Sequence, residues 1–254
     1  MSAYIKLKKI FREASLSSDI AGILHWDMST MMPSNSRNQR AEQLAYLSKI
    51  THDKVSSDKV RDLILEAKHE ELNQKDIYNL REIEREHKLT SSVPSNLVQQ
   101  ISKTAAKCEG EWQEARKNSN FNLIKNTLSE LIYLTKEEAD ILGKVFNLSP
   151  YEALVNKFEP GLNIKLITDV FDDLQQFLIP SIDTIIEKQK SQKILSIQDK
   201  ISEEQQKDIA EYIMRLIGFD FKRGRLDKSA HPFCGGSTND VRITTRYNAD
   251  NPFS

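Results

Sequence analysis

The sequence is short of glycine and proline. Its 254 residues hold eight glycines and seven prolines, about 6% together where roughly 12% is usual. That scarcity argues against a turn-rich β-sandwich. It also argues against a glycine-rich loop cradling phosphate, and neither a phosphate-loop pattern nor Gly-x-Ser-x-Gly occurs. Only two cysteines are present, Cys108 and Cys234, far apart in the chain. They make neither a disulfide framework nor a cysteine-based zinc site. The five histidines are His25, His52, His69, His87 and His231, and none stands three to five residues from another. No helix can therefore present two imidazoles to one cation, as an HExxH motif does.

Neither sign of charge is in excess: 36 Lys and Arg face 37 Asp and Glu, a net charge of −1. That balance removes the electrostatic case for nucleic acid or an anionic membrane surface as partner. No apolar run approaches the roughly 18 to 20 residues needed to span a bilayer. The opening, MSAYIKLKKIF, scatters charge through its apolar residues, unlike a signal peptide. The cytoplasm is the expected location.

What is abundant is charge, 29% of residues, set among a modest 39% of apolar ones. Rich in Leu, Ile, Lys, Glu and Gln, the chain favours long amphipathic helices. The first 218 residues read as helix after helix. Tyr4, Leu7, Ile10, Phe11 and Ala14 form one apolar face, and a short apolar run follows from Ile20 to Trp26. Turn chemistry marks Met31 to Ser36. Leu44, Leu47 and Ile50, then Val60, Leu63, Ile64 and Ala67, resume the helical period. Pro94 can open a helix striped by Leu97, Ile101, Ala105, Cys108 and Trp112. Pro150 and Pro160-Gly161 bracket a short element, Tyr151 to Phe158. The next stripe runs from Ile164 to Leu178, where Pro180 would kink or reset the helix. Ser202 and Gln205 make a capping box for a helix that Gly218 ends.

After Gly218 the texture changes. The run Asp240 to Tyr247 alternates and is β-branched, so it predicts a strand. A lone strand is unstable; its partner is expected in the Phe219 to Phe233 region or outside the 254 residues.

Several residues invite chemistry and are better read as structure. His69-Glu70-Glu71-Leu72-Asn73 has half a zinc motif, with Asn where the second His belongs, and reads as a charged helix face. Cys234 lacks an evident base held beside it and reads as a small apolar filler. Glu152 and Glu159 are seven apart, about 10 Å along a helix, too far to share a proton or a cation. Trp26-Asp27 reads as a helix-terminal cap beside a core aromatic. On the predicted strand, Arg242, Thr244 and Arg246 share one face. Arginines there can grip a carboxylate, and an unpaired strand edge can add an extended peptide.

Four blocks carry a resemblance. Gly224 to Phe233, containing His231-Pro232-Phe233, and Asp240-Val241-Arg242-Ile243-Thr244 are similar to the HPF and DxRxT motifs of carboxypeptidase Taq-type (M32) metallocarboxypeptidases. Trp26-Asp27 with Met32-Pro33 and Arg40-Ala41-Glu42-Gln43-Leu44 resembles the N-terminal signature of that family. So does Pro150-Tyr151-Glu152-Ala153-Leu154 with Glu159-Pro160-Gly161. The resemblance implies a mainly α, zincin-like helical peptidase with a small β element near the C-terminus. Residues 1–254 would be one helical domain, with 219–254 as its HPF/DxRxT segment. It implies metal-dependent release of C-terminal amino acids from peptides, with zinc or cobalt held by the two His of an HExxH helix and a later Glu. Those motifs follow the DxRxT strand in the family and are absent here, so this chain is expected to hold no metal and no catalytic residue of its own. His231, Phe233, Asp240, Arg242 and Thr244 are expected to form one wall of the substrate groove. Three readings follow: the N-terminal half of a metallocarboxypeptidase whose C-terminal half is either a separate polypeptide or a continuation missing from these 254 residues, an inactive remnant, or a helical protein-interaction module. The chain alone is expected to be helical and to aggregate or form a homodimer.

Overall fold

The computed structural model describes residues 1–192 and 200–250; the last four residues of the 219–254 segment lie outside the described residues. Helix α1 runs over Ala3–Thr30. Its start is secured twice. The Ser2 side chain accepts from the Ile5 amide, and the Glu70 carboxylate accepts from the Ala3 and Tyr4 amides. An anion at a helix N-terminus satisfies the free N–H groups and opposes the helix dipole favourably. The Tyr4–Ala14 face and the Ile20–Trp26 run, read from sequence as successive segments, belong to this one helix.

Helix α2 (Arg37–Val55) follows a short 3₁₀ turn over Ser34–Ser36. Helices α3 (Asp58–Ala67) and α4 (Gln74–Ser92) come next. His69 falls in the turn between them and is exposed, not on a helix face as expected. Its neighbour Glu70 is committed to the α1 terminus. Helix α5 (Ser95–Lys117) opens directly after Pro94, which serves as its N-cap. Helix α6 (Lys125–Phe146) ends on Asn147 in the left-handed region, φ 54°.

Helix α7 (Pro150–Phe158) carries a full capping box, in which Ser149 and Glu152 bond each other's backbone amides. That is the role of Glu152. The Ser149 hydroxyl and amide, with the Ile164 amide, hold its carboxyl below the ordinary value, and Glu159 serves as the C-cap. The two carboxylates are structural, in keeping with their seven-residue spacing.

The interiors of these helices meet in four apolar clusters. One joins Tyr4 and Leu7 of α1 to Val60, Leu63 and Ile64 of α3 and Leu80 and Ile83 of α4. A second joins Met28 to Ala41, Leu44 and Ala106, locking α1 on α2 and α5. A third holds Leu97, Leu134, Leu142 and Ala153 between α5, α6 and α7. The fourth packs Cys108 and Ala115 against Ile124.

Helices α8 (Ile164–Lys190) and α9 (Glu203–Leu216) differ: neither has a buried residue. Pro180 lies inside α8, which continues to Lys190 rather than resetting there. The ring removes one i→i−4 bond but does not end this helix. Ser202 and Gln205 form the expected capping box on α9, and Gly218 adopts φ 88° just beyond its end.

The C-terminal region forms a three-stranded sheet, β1 (Gly224–Lys228), β2 (Cys234–Ser237) and β3 (Asp240–Thr245). The order is β1-β3-β2. β3 pairs in parallel with β1, placing Arg225 opposite Arg242, and antiparallel with β2, placing Gly235 opposite Arg242. The strand expected from Asp240 to Tyr247 is therefore present but stops two residues early. It is the central strand, so neither of its edges is open to an added peptide.

Candidate functional site

The HPF and DxRxT segments are built as one unit. Thr244, 4% exposed, holds the turn that precedes β2. Its backbone N–H donates to the Phe233 carbonyl at 2.8 Å, and its hydroxyl oxygen accepts from the Phe233 N–H at 2.9 Å. The Ser229 hydroxyl lies 2.7 Å from the Thr244 hydroxyl and 2.8 Å from the His231 carbonyl oxygen. Every polar atom of this buried cluster has a partner, which is what makes burial of two hydroxyls tolerable. The His231 ring projects to an exposed position and meets Trp112 of α5 edge-on, with centroids 6.4 Å apart. One residue earlier, the Ala230 carbonyl accepts from Arg116 at 2.6 Å. The loop is thus clamped from β3 on one side and from α5 on the other.

Arg242 does not stand free to grip a substrate carboxylate. Its Nε and Nη2 donate to the two oxygens of Asp240 at 2.7 and 2.8 Å, and its guanidinium lies 4.3 Å from the centroid of the Trp26 ring. Arg225 does the same from the neighbouring strand: it pairs bidentately with Asp227 at 2.7 Å and lies 4.6 Å from the same ring. Cation–π contact of this kind is favourable where water is excluded. Trp26 therefore fastens the sheet to α1. The Arg242 hydrogen bonds, opposed by partial burial, hold the Asp240 carboxyl below the ordinary carboxylate value. Trp26 and Asp27 sit inside the last two turns of α1 rather than capping it. The Asp27 side chain takes Arg40 of α2 at 2.7 Å, and Arg40 also donates to the Leu24 carbonyl. The Trp-Asp and Arg-Ala-Glu-Gln-Leu blocks are therefore in direct contact across the α1–α2 pair.

Sequence reasoning missed a second constellation. His25 of α1 and Glu109 of α5 pair at 2.8 Å, and the other Glu109 oxygen accepts from Ser29 at 2.7 Å. The three residues line a cavity of about 440 Å³ with Trp112, His231 and Phe233. No spacing rule could have joined residues 84 positions apart (109 − 25); the one signal was an imidazole immediately before the Trp-Asp block. Burial pushes the Glu109 carboxyl up, but the hydrogen bonds from His25 and Ser29 outweigh it and leave the group below its ordinary value. His25 is raised by its hydrogen bond to Glu109.

The sign of the pH dependence follows. A raised imidazole stabilises fully below its unfolded value of about 6.5 and stops contributing as pH rises through the folded value. A depressed carboxyl contributes above its unfolded value of about 4.3 and is lost as pH falls through the folded one. The pair thus supports the fold between those limits. We expect NMR titration of His25 to give a midpoint above 6.5, and Glu109→Gln to bring it to 6.5 or below. An unchanged midpoint in the variant would show that the contact is not formed in solution.

Cys234 lies exposed on β2 and is not the buried filler expected from sequence; the four-residue strand faces solvent throughout. Among the described residues no group of three or more His, Cys, Asp or Glu side chains is placed to hold a metal ion. No described helix is long and apolar enough to cross a membrane.

Comparison with known proteins places this geometry. The family model of carboxypeptidase Taq (M32) metallopeptidases matches residues 6–254. Carboxypeptidase 1 of Bacillus subtilis is 29% identical over 241 residues, 94% of this chain and 48% of that protein. Among solved structures, the crystal structure of BsuCP superposes with a TM-score of 0.91 at 27% identity, covering 98% of this chain and 50% of that one. Trypanosoma cruzi metallocarboxypeptidase 1 superposes with a TM-score of 0.83 at 32% identity, again over 98% of this chain and 50% of the other. The chain spans about half the length of the relatives it matches. It belongs to the carboxypeptidase Taq (M32) metallopeptidase family.

Proposed function

We propose that residues 1–254 are the N-terminal half of a metal-dependent carboxypeptidase and that they work only together with a half carrying the HExxH helix, whether that half continues the same chain or is a separate polypeptide. The observation that carries the reading is the pairing of two facts. The chain matches half of each relative along nearly its whole length, and its last two long helices, α8 and α9, keep their apolar faces unburied. Those faces are where the second half docks. In this reading residues 1–254 are one domain of the assembled enzyme and the substrate is the C-terminus of a peptide. The zinc or cobalt ion belongs to the other half, and the cytoplasm is the compartment.

The groove wall is the HPF turn. His231 and Phe233 face the substrate, while Thr244, Asp240 and Arg242 set the turn's position. That division of labour rests on the hydrogen bonds that already occupy the last three. Positioning residues of this kind act by holding a contact surface in one geometry.

The chain by itself is expected to release no C-terminal amino acid from a blocked dipeptide and to retain less than one zinc per chain after dialysis, measured by elemental analysis. One tightly held zinc per chain, or turnover by the chain alone, would overturn the reading.

A further inference from the structure

The depression that holds His25 and Glu109 adjoins a second one, of about 410 Å³, and the two share His25 and Phe233. Both are open to solvent: His25 and Gly22 on α1 and Gly235 on β2 are exposed. Together they make a groove bordered by α1, α5 and the HPF turn with β2. His25 stands at the junction. Its side chain is 51% exposed, and Nε2 pairs with Glu109 at 2.8 Å. Glu109 is itself pinned through its other oxygen by Ser29 at 2.7 Å. A histidine held by a carboxylate at one nitrogen has its ring orientation fixed and the other nitrogen left for a second partner. Among the described residues nothing bonds Nδ1. The pair is not required as a tether either, because Met28 already packs with Ala106 between α1 and α5.

The charge balance selects the ligand. A carboxylate beside Nε2 favours the protonated ring, the direction in which His25 is shifted, and protonation makes Nδ1 a donor. Glu109 cancels the charge so gained. Of the other ionisable groups on the groove, Arg242 is paired with Asp240, and His231 is exposed and meets Trp112 edge-on. Arg116, next to that turn, donates to the Ala230 carbonyl. A carboxylate entering here gains no net attraction, whereas a neutral acceptor meets a directed N–H. Trp112 and Phe233 line the same depression and supply apolar surface beside it.

We propose that His25, oriented by Glu109, is a peptide-binding residue of this groove: its Nδ1–H donates to a backbone carbonyl oxygen of a peptide whose apolar side chain lies against Trp112 and Phe233. The proposal deepens the carboxypeptidase reading and rests on it for the choice of peptide as ligand. A donor already held in place by a pinned carboxylate loses little freedom when the peptide binds.

The test uses the whole chain at pH 6, below the ordinary imidazole value of about 6.5, and N-acetyl-phenylalaninamide, a neutral probe with no free carboxylate. Two reporters are followed by NMR: the ¹⁵N-labelled histidine rings, with His25 assigned from His25→Leu, and the indole of Trp112, one of two tryptophans, assigned from Trp112→Phe. The His25 ring and the Trp112 indole are expected to move together and saturate with one dissociation constant. Read from Trp112, that constant should rise about tenfold or more in His25→Leu and in Glu109→Gln, the loss expected for a hydrogen bond from a charged donor. N-acetyl-glycinamide, without the apolar side chain, should also bind about tenfold more weakly. Glu109→Gln keeps the side-chain shape, and denaturant melts check that both variants stay folded. A His25 ring that does not move would overturn the proposal, as would an unchanged constant in either variant or for the glycinamide. Because nothing is hydrolysed and no second half is added, these outcomes are separate from the fate of the half-enzyme reading.

Discussion

Replacing Phe171, Leu174 and Phe177 together with glutamine is expected to leave the melting temperature of the chain within about 2 °C of the parent and to abolish its self-association. The expectation inverts the usual cost of apolar-to-polar change. Buried Leu or Phe lost from a core costs roughly 2 to 5 kcal/mol, and exposed substitutions stay within about 0.5 kcal/mol. These three residues are 61%, 43% and 69% exposed, so no core is damaged. What they do contribute is a contiguous apolar stripe. With Val170, Leu178, Ile182 and Ile185 they recur at three- and four-residue spacing on a helix of 27 residues, about 40 Å long. Leu216 and Ile217 at the end of α9, 73% and 76% exposed, add to the unburied surface.

A stripe of that extent on a water-soluble helix marks a contact surface or an aggregation liability. Each such side chain would gain roughly 1.5 to 3 kcal/mol if fully covered. The parent chain is therefore expected to bind an apolar dye and to sediment as more than a monomer, and the glutamine variant to do neither. A monodisperse, dye-free parent would show that α8 is covered by its own fold and would remove the docking face from the account.

The second large effect is expected at Gly236. This residue adopts φ 91°, and a Cβ there would lie 2.0 Å from the Asp240 carbonyl oxygen. Backbone must move, and the backbone that moves belongs to the β2–β3 turn carrying Asp240. Gly236→Ala is expected to cost about 3 kcal/mol or more, combining left-handed backbone strain with a steric clash. Gly235 next door supplies the control, since a Cβ there meets nothing within 4 Å. Gly235→Ala should stay within about 1 kcal/mol. Denaturant melts of the two variants measure the difference, and Trp26 fluorescence should shift only in Gly236→Ala as the Arg242 stack is disturbed. Equal costs at both positions would mean that the turn is not held as described.

Several elements were legible in the sequence for reasons that are local. Ser202 and Gln205 announce a helix start because both atoms of the box lie within four residues. Pro94 and Gly218 mark a start and a stop through fixed or permissive backbone angles. β3 was visible because alternation and β-branching are carried by the strand itself. Its partners were not equally visible. β1 falls in the expected 219–233 region, whereas β2, Cys-Gly-Gly-Ser, has no strand propensity and pairs only because β3 presents its ladder. The same distinction governs the site. The HPF and DxRxT residues stood out by resemblance, but what each does came from contacts across the fold. Thr244 staples Phe233, Arg242 is spent on Asp240 and Trp26, and His25 finds Glu109 on another helix. A non-local hydrogen bond leaves no trace in spacing. Pro180 shows the reverse failure, a strong local signal that the helix around it absorbs.

The central claim is that this chain is one functional half. The measurement that tests it most directly mixes the purified chain with a polypeptide equivalent to the second half of the Bacillus subtilis relative, adds zinc or cobalt, and follows release of the C-terminal amino acid from a blocked dipeptide. The account predicts that neither component acts alone and that the mixture does, with activity lost when Phe171, Leu174 and Phe177 are glutamine. A mixture in which the two polypeptides bind each other and release nothing would contradict the claim. So would a mixture in which they do not bind at all.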